Sequence, residues 1–287
     1  MINVTIQASN LAMLKEALAG DSQIMRFGSE FCMYALPTID SLEKAYNQTN
    51  EAGKEFVYIT PRLSEGAMSS IREHLGLLND LGGATVVAND LGTVQTLKGF
   101  SNLKLHLGRQ LVYTPSRCPW KEITEHTVSI FTKRKVKQIF YQTALNYQPT
   151  IEFYKGLGAV GADVDMIPEL FQAFNFLIKN KLNLSVHLHS IPVTITRKCH
   201  MARFLGEPDL ERCSRPCYTK AYIMDNETLD TQMVLCGNTV FKLNEPNKKI
   251  TRQLAKRGVT EVVFTMGPLT SFSPQTPSES LIQNMRI

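Results

Sequence analysis

The sequence has no apolar run of the roughly 18 residues that a membrane-spanning helix needs. Its best candidate, AFNFLI at residues 173–178, is followed by Lys179 and Lys181. The first twenty residues also lack the cationic start and the sustained apolar segment of a secretory signal. We therefore expect a cytoplasmic protein with no membrane span, in a reducing compartment where disulfides are disfavoured.

Sequence motifs of well-known peptidases are missing as well. Neither H-E-x-x-H nor G-x-S-x-G occurs, which removes the usual signatures of zinc peptidases and of serine hydrolases. Ser41 and Lys44 form an S-x-x-K pattern, but four residues match by chance and the companion motifs are absent. We therefore do not expect peptidase activity.

The charge is only mildly basic. The chain has 31 basic and 26 acidic residues, a formal charge of +5, which is well short of the concentrated positive field typical of nucleic-acid binding. The densest run is KRKVK at residues 133–137. A solvated edge explains this run best, and contact with RNA or with an acidic partner is the alternative.

Short β-branched or aromatic runs alternate with segments of helical period, which favours βα units around a mostly parallel sheet. A complete or distorted (β/α) barrel of the α/β class fits this rhythm over residues 1–270, followed by a C-terminal tail at 271–287. The predicted strands are Val4–Gln7, Ile24–Phe27, Glu55–Thr60, Ala84–Ala88, Lys104–Leu107, Gln138–Thr143, Ala162–Met166, Leu184–His189 and Glu261–Thr265.

Helix signals and two irregular regions complete the pattern. Apolar spacing predicts a helix over 64–81 that ends at Gly82, and Asp90 and Pro168 are expected to begin two more. Residues 109–135 show no clean helical period and look like an excursion from the barrel. Residues 197–222 cannot form one continuous helix, because glycine and proline interrupt them.

The second irregular region carries half of the six cysteines. The stretch CHMARFLGEPDLERCSRPC, residues 199–217, places Cys199, Cys213 and Cys217 in a C-x13-C-x3-C pattern. A metal centre would order such a loop, and thiolates favour zinc or an iron–sulfur cluster. Both commonly take four cysteines, so one further ligand is needed.

Cys32, Cys118 and Cys236 are the candidates for the fourth ligand. Cys32 directly follows a predicted strand, at the end of a barrel where sites assemble. Cys236 lies in the strand-like MVLCGNTVF, where an inert buried thiol is the simpler interpretation. The absence of a C-x2-C pair argues against a structural zinc site, and the spacing favours a cluster only weakly.

The same stretches resemble a known family. The cysteine motif, FGSEFC at 27–32 and ATVVANDLGTV at 84–94 are similar to segments of the UbiV-like members of the collagenase-like peptidases of unassigned mechanism. The family includes components of oxygen-independent ubiquinone biosynthesis and proteins required for RNA hydroxylation, with a barrel-like fold. The resemblance implies a 4Fe-4S cluster held by Cys32, Cys199, Cys213 and Cys217.

Full ligation by cysteine leaves no open iron, so the substrate is expected in a separate pocket at the barrel mouth. The candidate pocket residues are Asn89, Asp90, His187, His189 and Arg203. Asn89 and Asp90 join a strand to a helix, where capping alone is an alternative role for Asp90. His187 and His189 are expected to share one strand face, and Arg203 lies within the cysteine loop. The alternative role for the two histidines is a structural hydrogen-bonded pair. The alternative role for Arg203 is a plain salt bridge.

The resemblance implies hydroxylation of a small molecule or quinone precursor without dioxygen, with prephenate as a possible oxygen source and with a paralogous partner in a heterodimer. One alternative is an RNA-hydroxylating relative that contacts tRNA or rRNA through KRKVK. Another is a protein without catalytic activity, in which the cluster stabilises an interaction surface or senses oxygen.

Overall fold

The computed structural model describes residues 2–114, 129–132, 135, 141–167, 170–207, 209–224, 232–245 and 248–272. Eight parallel strands form a closed barrel in the order β1-β12-β7-β6-β5-β4-β3-β2. These strands are β1 (Asn3–Ala8), β2 (Ile24–Gly28), β3 (Glu55–Ile59), β4 (Ala84–Ala88), β5 (Leu103–Leu107), β6 (Ala159–Asp165), β7 (Asn183–His187) and β12 (Glu261–Thr265).

Helices follow most barrel strands, as the alternating pattern predicted. They are α1 (Leu11–Leu18), α2 (Ile39–Glu51), α3 (Met68–Asp80), α4 (Leu91–Leu97), α5 (Gln148–Gly156), α6 (Phe171–Lys179), the short α7 (His200–Phe204) and α8 (Lys248–Lys256). The predicted (β/α) barrel is thus confirmed. None of the helices in the described part of the chain is long and apolar enough to cross a membrane.

A second, antiparallel sheet of four strands extends the barrel. Its strands are β8 (Ser190–Ile195), β9 (Tyr222–Met224), β10 (Met233–Cys236) and β11 (Thr239–Leu243), in the order β8-β11-β10-β9. Because β8 begins three residues after β7 ends, this sheet starts at the carboxyl end of the barrel. The cysteine-bearing loop lies between β8 and β9, so the sheet holds that loop at the barrel mouth.

Local sequence signals explain where the helices begin and end. The side chains of Asn10, Thr38 and Asp90 accept hydrogen bonds from the first turns of α1, α2 and α4. After α3 the chain turns through Gly82 and Gly83, at φ of +112° and +101°. A Cβ at Gly83 would lie 2.2 Å from the Asn102 carbonyl oxygen, so only glycine fits there.

Polar residues fill much of the barrel interior, whereas the outward faces of the strands are apolar and pack against the helices. Arg26 on β2 donates to Asp163 on β6 at 2.6 Å. The rings of His106 and His187 approach the same carboxylate, at 2.9 and 3.1 Å. Burial opposes ionisation of Asp163, but Arg26 and the two histidines hold its pKa well below the ordinary value. The centre of the barrel is therefore an ion-pair cluster.

Outside the barrel, a buried pair joins β3 to α3 and should make stability depend on pH. Tyr58 Oη lies 2.6 Å from His74 Nδ1, and burial lowers the pKa of His74 to about 4. Between pH 6.5 and 4 the unfolded chain therefore binds a proton that the folded chain excludes, and stability falls as the pH falls.

Acidification from pH 7 to 4.5 is expected to cost the wild-type protein about 2–3 kcal/mol more than it costs a His74→Gln variant. The comparison cancels the titration of every other group, because both proteins carry the same carboxylates and remaining histidines. Urea unfolding at the two pH values measures the difference. An equal loss of stability in both proteins would show that His74 is not the group responsible.

Candidate functional site

A cavity of about 120 Å³ opens where the barrel strands end. Its lining includes Gln7 and Thr265 at the ends of β1 and β12, and Glu30 and Arg109 just after β2 and β5. The second sheet contributes Phe241 and the turn after β10. We call this space the mouth cavity. It occupies the end of the fold at which barrel enzymes assemble their active sites.

Five cysteines line the mouth cavity, although they come from three separate parts of the sequence. They are Cys32, Cys199, Cys213, Cys217 and Cys236. The four cysteines singled out by the resemblance are thus brought to one rim, together with a fifth that sequence reasoning interpreted as an inert buried thiol. Cys118 lies outside the described residues.

Local structure fixes the first two of these thiols. Cys32 follows β2 in a turn in which the Ser29 hydroxyl donates to the Cys32 carbonyl oxygen at 2.7 Å. Gly28 begins this turn with φ +134°, and a Cβ there would lie 2.2 Å from the Ile59 carbonyl oxygen. Cys199 caps α7, where its sulfur accepts from the Ala202 amide at 3.4 Å.

Cys217 and Cys236 lie on neighbouring segments. Cys217 belongs to a 3-10 turn, Pro216–Tyr218, and Cys236 ends β10. Gly237 follows with φ +62°, and a Cβ on it would approach Cys217 Cβ to 3.3 Å. The turn after β10 therefore packs directly against Cys217.

Arg215 ties the cysteine loop to the Cys32 segment. Its guanidinium donates to the carbonyl oxygens of Cys213, at 2.7 Å, and of Tyr34. The residue has φ +60°, in the left-handed region that non-glycine residues rarely occupy. An arginine kept in this conformation holds together two chain segments that are about 180 residues apart in sequence.

The five rim cysteines offer the soft sulfur donors that a thiolate-bound metal centre uses. Burial raises the pKa of Cys32 and Cys199, and it raises the pKa of Cys217 and Cys236 to about 12. These thiols would therefore have to give up protons for a metal centre to bind. Within the described ranges no three His, Cys, Asp or Glu side chains are arranged to hold a single metal ion. A cluster places iron and sulfide between its thiolates, so its ligands stand further apart than those of one zinc ion.

Below the thiols, an ion-pair network forms the floor of the mouth cavity. Arg109 donates to both carboxylate oxygens of Glu30, at 2.7 Å each, and to Asp165 at 2.8 Å. Burial opposes ionisation of Glu30, but Arg109 outweighs it and lowers the carboxyl pKa. Burial raises the pKa of Asp165 despite the same arginine. Gln7 Nε2 donates to Glu30 at 3.0 Å and completes the floor.

The pocket residues expected from the sequence lie elsewhere. Asn89 is fully buried, donates to the Thr60 carbonyl oxygen at 2.7 Å and accepts from the Gln110 amide at 3.0 Å. Asp90 caps α4 by accepting from the Thr93 amide at 2.8 Å. Neither residue lines the mouth cavity. Asn89 braces the loop that leads into the cavity floor.

The two histidines have different surroundings, because β7 ends at His187. His187 faces Asp163 inside the barrel. His189 lies in the turn before β8, where its ring nitrogens are 3.0 Å from the carbonyl oxygens of Asn244 and Leu269. Arg203 is exposed on α7 and does not line the mouth cavity. Arg215, rather than Arg203, is the loop arginine at the thiols.

Comparisons with known proteins find similarity among solved structures, at low identity. No family model matches the chain, and no curated protein matches it. A solved U32 peptidase shares 13% identity with a TM-score of 0.48, over 93% of this chain and 94% of its own. A D-psicose 3-epimerase from Clostridium cellulolyticum H10 shares 9% (TM-score 0.43, 99% and 96% covered), and the dihydropteroate synthase of Xanthomonas albilineans shares 10% (0.42, 91% and 86%).

Proposed function

We propose that this chain is a cluster-bearing component of an oxygen-independent hydroxylation system, similar to the UbiV-like proteins of ubiquinone biosynthesis. The observation that carries the proposal is the convergence of Cys32 with Cys199, Cys213 and Cys217 at the rim of one cavity. These four cysteines would hold a 4Fe-4S cluster, which supplies single-electron transfer when bound. The assignment of these four cysteines as ligands comes from the family resemblance, and their position around one cavity supports it.

The residues beneath the cluster site would handle the organic substrate. Glu30, Arg109 and Asp165 are almost fully buried, so their network forms a rigid, water-poor floor. Phe31 stacks edge-on against Phe241, with ring centroids 5.4 Å apart, and lies under Arg109 at 5.3 Å. A molecule in the mouth cavity would therefore lie between apolar walls and this floor, next to the cysteines. Binding and orientation are the roles we assign to these groups.

Product formation under strict exclusion of oxygen tests the activity. The full chain, purified anaerobically together with a co-expressed paralogous partner, is incubated with an aromatic quinone precursor in the presence and absence of prephenate. The proposal predicts a hydroxylated product only when prephenate and the partner are both present. Product that forms without an added oxygen donor, or hydrolysis of casein or collagen instead, would contradict it.

Arg215 provides a second test, because it joins the backbone of Cys213 to that of Tyr34, two residues after Cys32, without being a proposed ligand itself. Arg215→Lys keeps the charge, but its single ammonium group cannot bridge the same carbonyl oxygens in fork geometry. We expect both Arg215→Lys and Arg215→Ala to weaken iron binding about 10–100-fold, measured as iron retained against a chelator. Arg212→Ala is the control. Arg212 belongs to the same loop, is exposed and pairs with Asp209, at 3.7 Å. Equal retention in all three variants would show that Arg215 has no positioning role.

A further inference from the structure

We propose that Gln7 and Thr265 form a hydrogen-bonding subsite for an uncharged organic ligand that carries a hydroxyl group. The two residues are direct neighbours across the β1–β12 pairing, and both line the mouth cavity. The inference rests on the proposed function only in assigning this ligand as the molecule that the system modifies. Binding itself is measured without turnover.

Two unpaired oxygen atoms support this subsite. The Gln7 side-chain amide has a fixed orientation, because its Nε2 donates to Glu30 and a carboxylate can only accept. Gln7 Oε1 is therefore left as an acceptor, and it has no hydrogen-bond partner among the described residues. Thr265 Oγ1 is likewise buried there without a partner. Buried polar atoms are rarely left unpaired, so the pair indicates a ligand group that satisfies both.

A hydroxyl group matches these two atoms. Its hydrogen can be donated to Gln7 Oε1, while its oxygen accepts the hydrogen of the Thr265 hydroxyl. A methyl group could do neither, and a carboxylate could only accept. Gln7 Oε1 therefore needs a donor, which a hydroxyl group supplies and a methyl group or a carboxylate does not.

The charge of the floor disfavours an anionic ligand. Arg109 has five N–H donors, and four hydrogen bonds to Glu30, Asp165 and the Ser190 carbonyl oxygen already occupy it. Both oxygens of the Glu30 carboxylate are also engaged, by Arg109 and Gln7. An added carboxylate at this floor would lie against the Glu30 carboxylate, while Arg215, which also lines the cavity, donates to the carbonyl oxygens of Cys213 and Tyr34. Together with the apolar walls at Phe31, Phe241 and Leu269, this favours an uncharged, largely apolar molecule.

Three small ligands, each built on a benzene ring, distinguish the need for a hydroxyl group from the exclusion of an anion. Benzyl alcohol carries the hydroxyl, toluene lacks it and benzoate replaces it with an anion. Dissociation constants are measured by ligand-observed NMR titration of the anaerobically purified full chain. We expect benzyl alcohol to bind roughly threefold to tenfold more tightly than toluene, and benzoate to bind more weakly than benzyl alcohol.

A matched pair of variants tests whether Thr265 causes the preference for benzyl alcohol over toluene. Thr265→Val removes the hydroxyl at the subsite. Thr5→Val makes the same change at another buried, unpaired threonine, two residues before Gln7 on β1 and outside the lining of the mouth cavity. Thr265→Val should abolish the preference for benzyl alcohol over toluene, whereas Thr5→Val should keep it. Thr265→Ser, which retains the hydroxyl, should also keep the preference for benzyl alcohol. It is the variant to compare with the wild type if Thr265→Val fails to fold.

Equal affinity for benzyl alcohol and toluene in the wild type would overturn the inference, as would equal effects of the two valine variants or tightest binding of benzoate. Iron and sulfide contents of the same samples keep the two proposals apart. Lost discrimination with an intact cluster contradicts only the subsite. Retained discrimination in a protein without a cluster contradicts only the proposed function.

Discussion

Alanine at Cys32, Cys199, Cys213 or Cys217 is expected to lower the iron bound by the anaerobically prepared protein by more than about tenfold. Each change removes one thiolate from a centre that the resemblance assigns to four cysteines. In its described residues, the loop around three of them has little regular structure of its own: one helix of five residues and one 3-10 turn. Loss of the centre should therefore also lower the melting temperature, since binding of metal and folding of the loop are coupled.

Cys236→Ala is the matched control for this series, because Cys236 lines the same cavity. Its sulfur contacts the Cys217 carbonyl oxygen at 3.4 Å, and the proposed ligand set predicts that its loss leaves the iron content unchanged. Iron lost on Cys236→Ala and retained on Cys213→Ala would replace Cys213 by Cys236 in the set. Iron retained in every variant would show that none of these cysteines is needed to hold it.

The ion-pair cluster inside the barrel should give the largest effect on stability. Asp163→Asn leaves the Arg26 guanidinium, which is 1% exposed, without its nearest counter-charge. Glu261 remains as its other carboxylate partner, at 3.9 Å. An uncompensated buried charge is costly, so we expect a loss of about 3–5 kcal/mol in the free energy of unfolding, measured with urea.

Asp165→Asn makes the same change two residues further along β6. Arg109 keeps both hydrogen bonds to Glu30 in that variant, so the loss should stay below about 2 kcal/mol. A larger loss at Asp165 than at Asp163 would contradict this interpretation of the interior. Combining Asp163→Leu with Arg26→Met should recover part of the stability, because the two buried charges are removed together, while Glu261, which is 18% exposed, loses Arg26 as its partner.

The barrel could be predicted from the sequence because the strand-like pattern that indicates a barrel strand recurs eight times. Each of the eight barrel strands overlaps a predicted strand, and Ala84–Ala88 and Glu261–Thr265 agree residue for residue. The ninth prediction, Gln138–Thr143, lies largely outside the described residues, and its described part is not a strand. Pro168, the run KRKVK apart from Lys135, and most of the predicted tail at 271–287 also lie outside them.

The second sheet could not be separated from the barrel by periodicity. The sequence predicts a continuous strand over Leu184–His189, yet the chain leaves the barrel after His187 and enters another sheet at Ser190. Periodicity reports which residues alternate, and it does not report which strand they pair with. The expected shared face of His187 and His189 depended on that continuous strand.

The floor of the mouth cavity was missed for a related reason. Gln7, Glu30 and Arg109 are single polar residues at or just after strand ends, and each has an ordinary solvent-exposed interpretation in sequence. Only closure of the barrel brings them together. A usable signal was present in FGSEFC, where Glu30 stands two residues before a cysteine at the end of a strand. The cysteine motif carried most of the information about the site, because clustered cysteines indicate a metal centre more specifically than single polar residues indicate any function.

The central claim is that four sulfurs at the barrel mouth hold one iron–sulfur cluster. Iron and acid-labile sulfide analysis of the wild-type protein, purified without oxygen and examined by absorption and EPR spectroscopy, tests it most directly. The account predicts a brown protein with about four iron and four sulfide per chain, and an EPR signal on reduction. A colourless preparation, or one that contains zinc in place of iron, would contradict it.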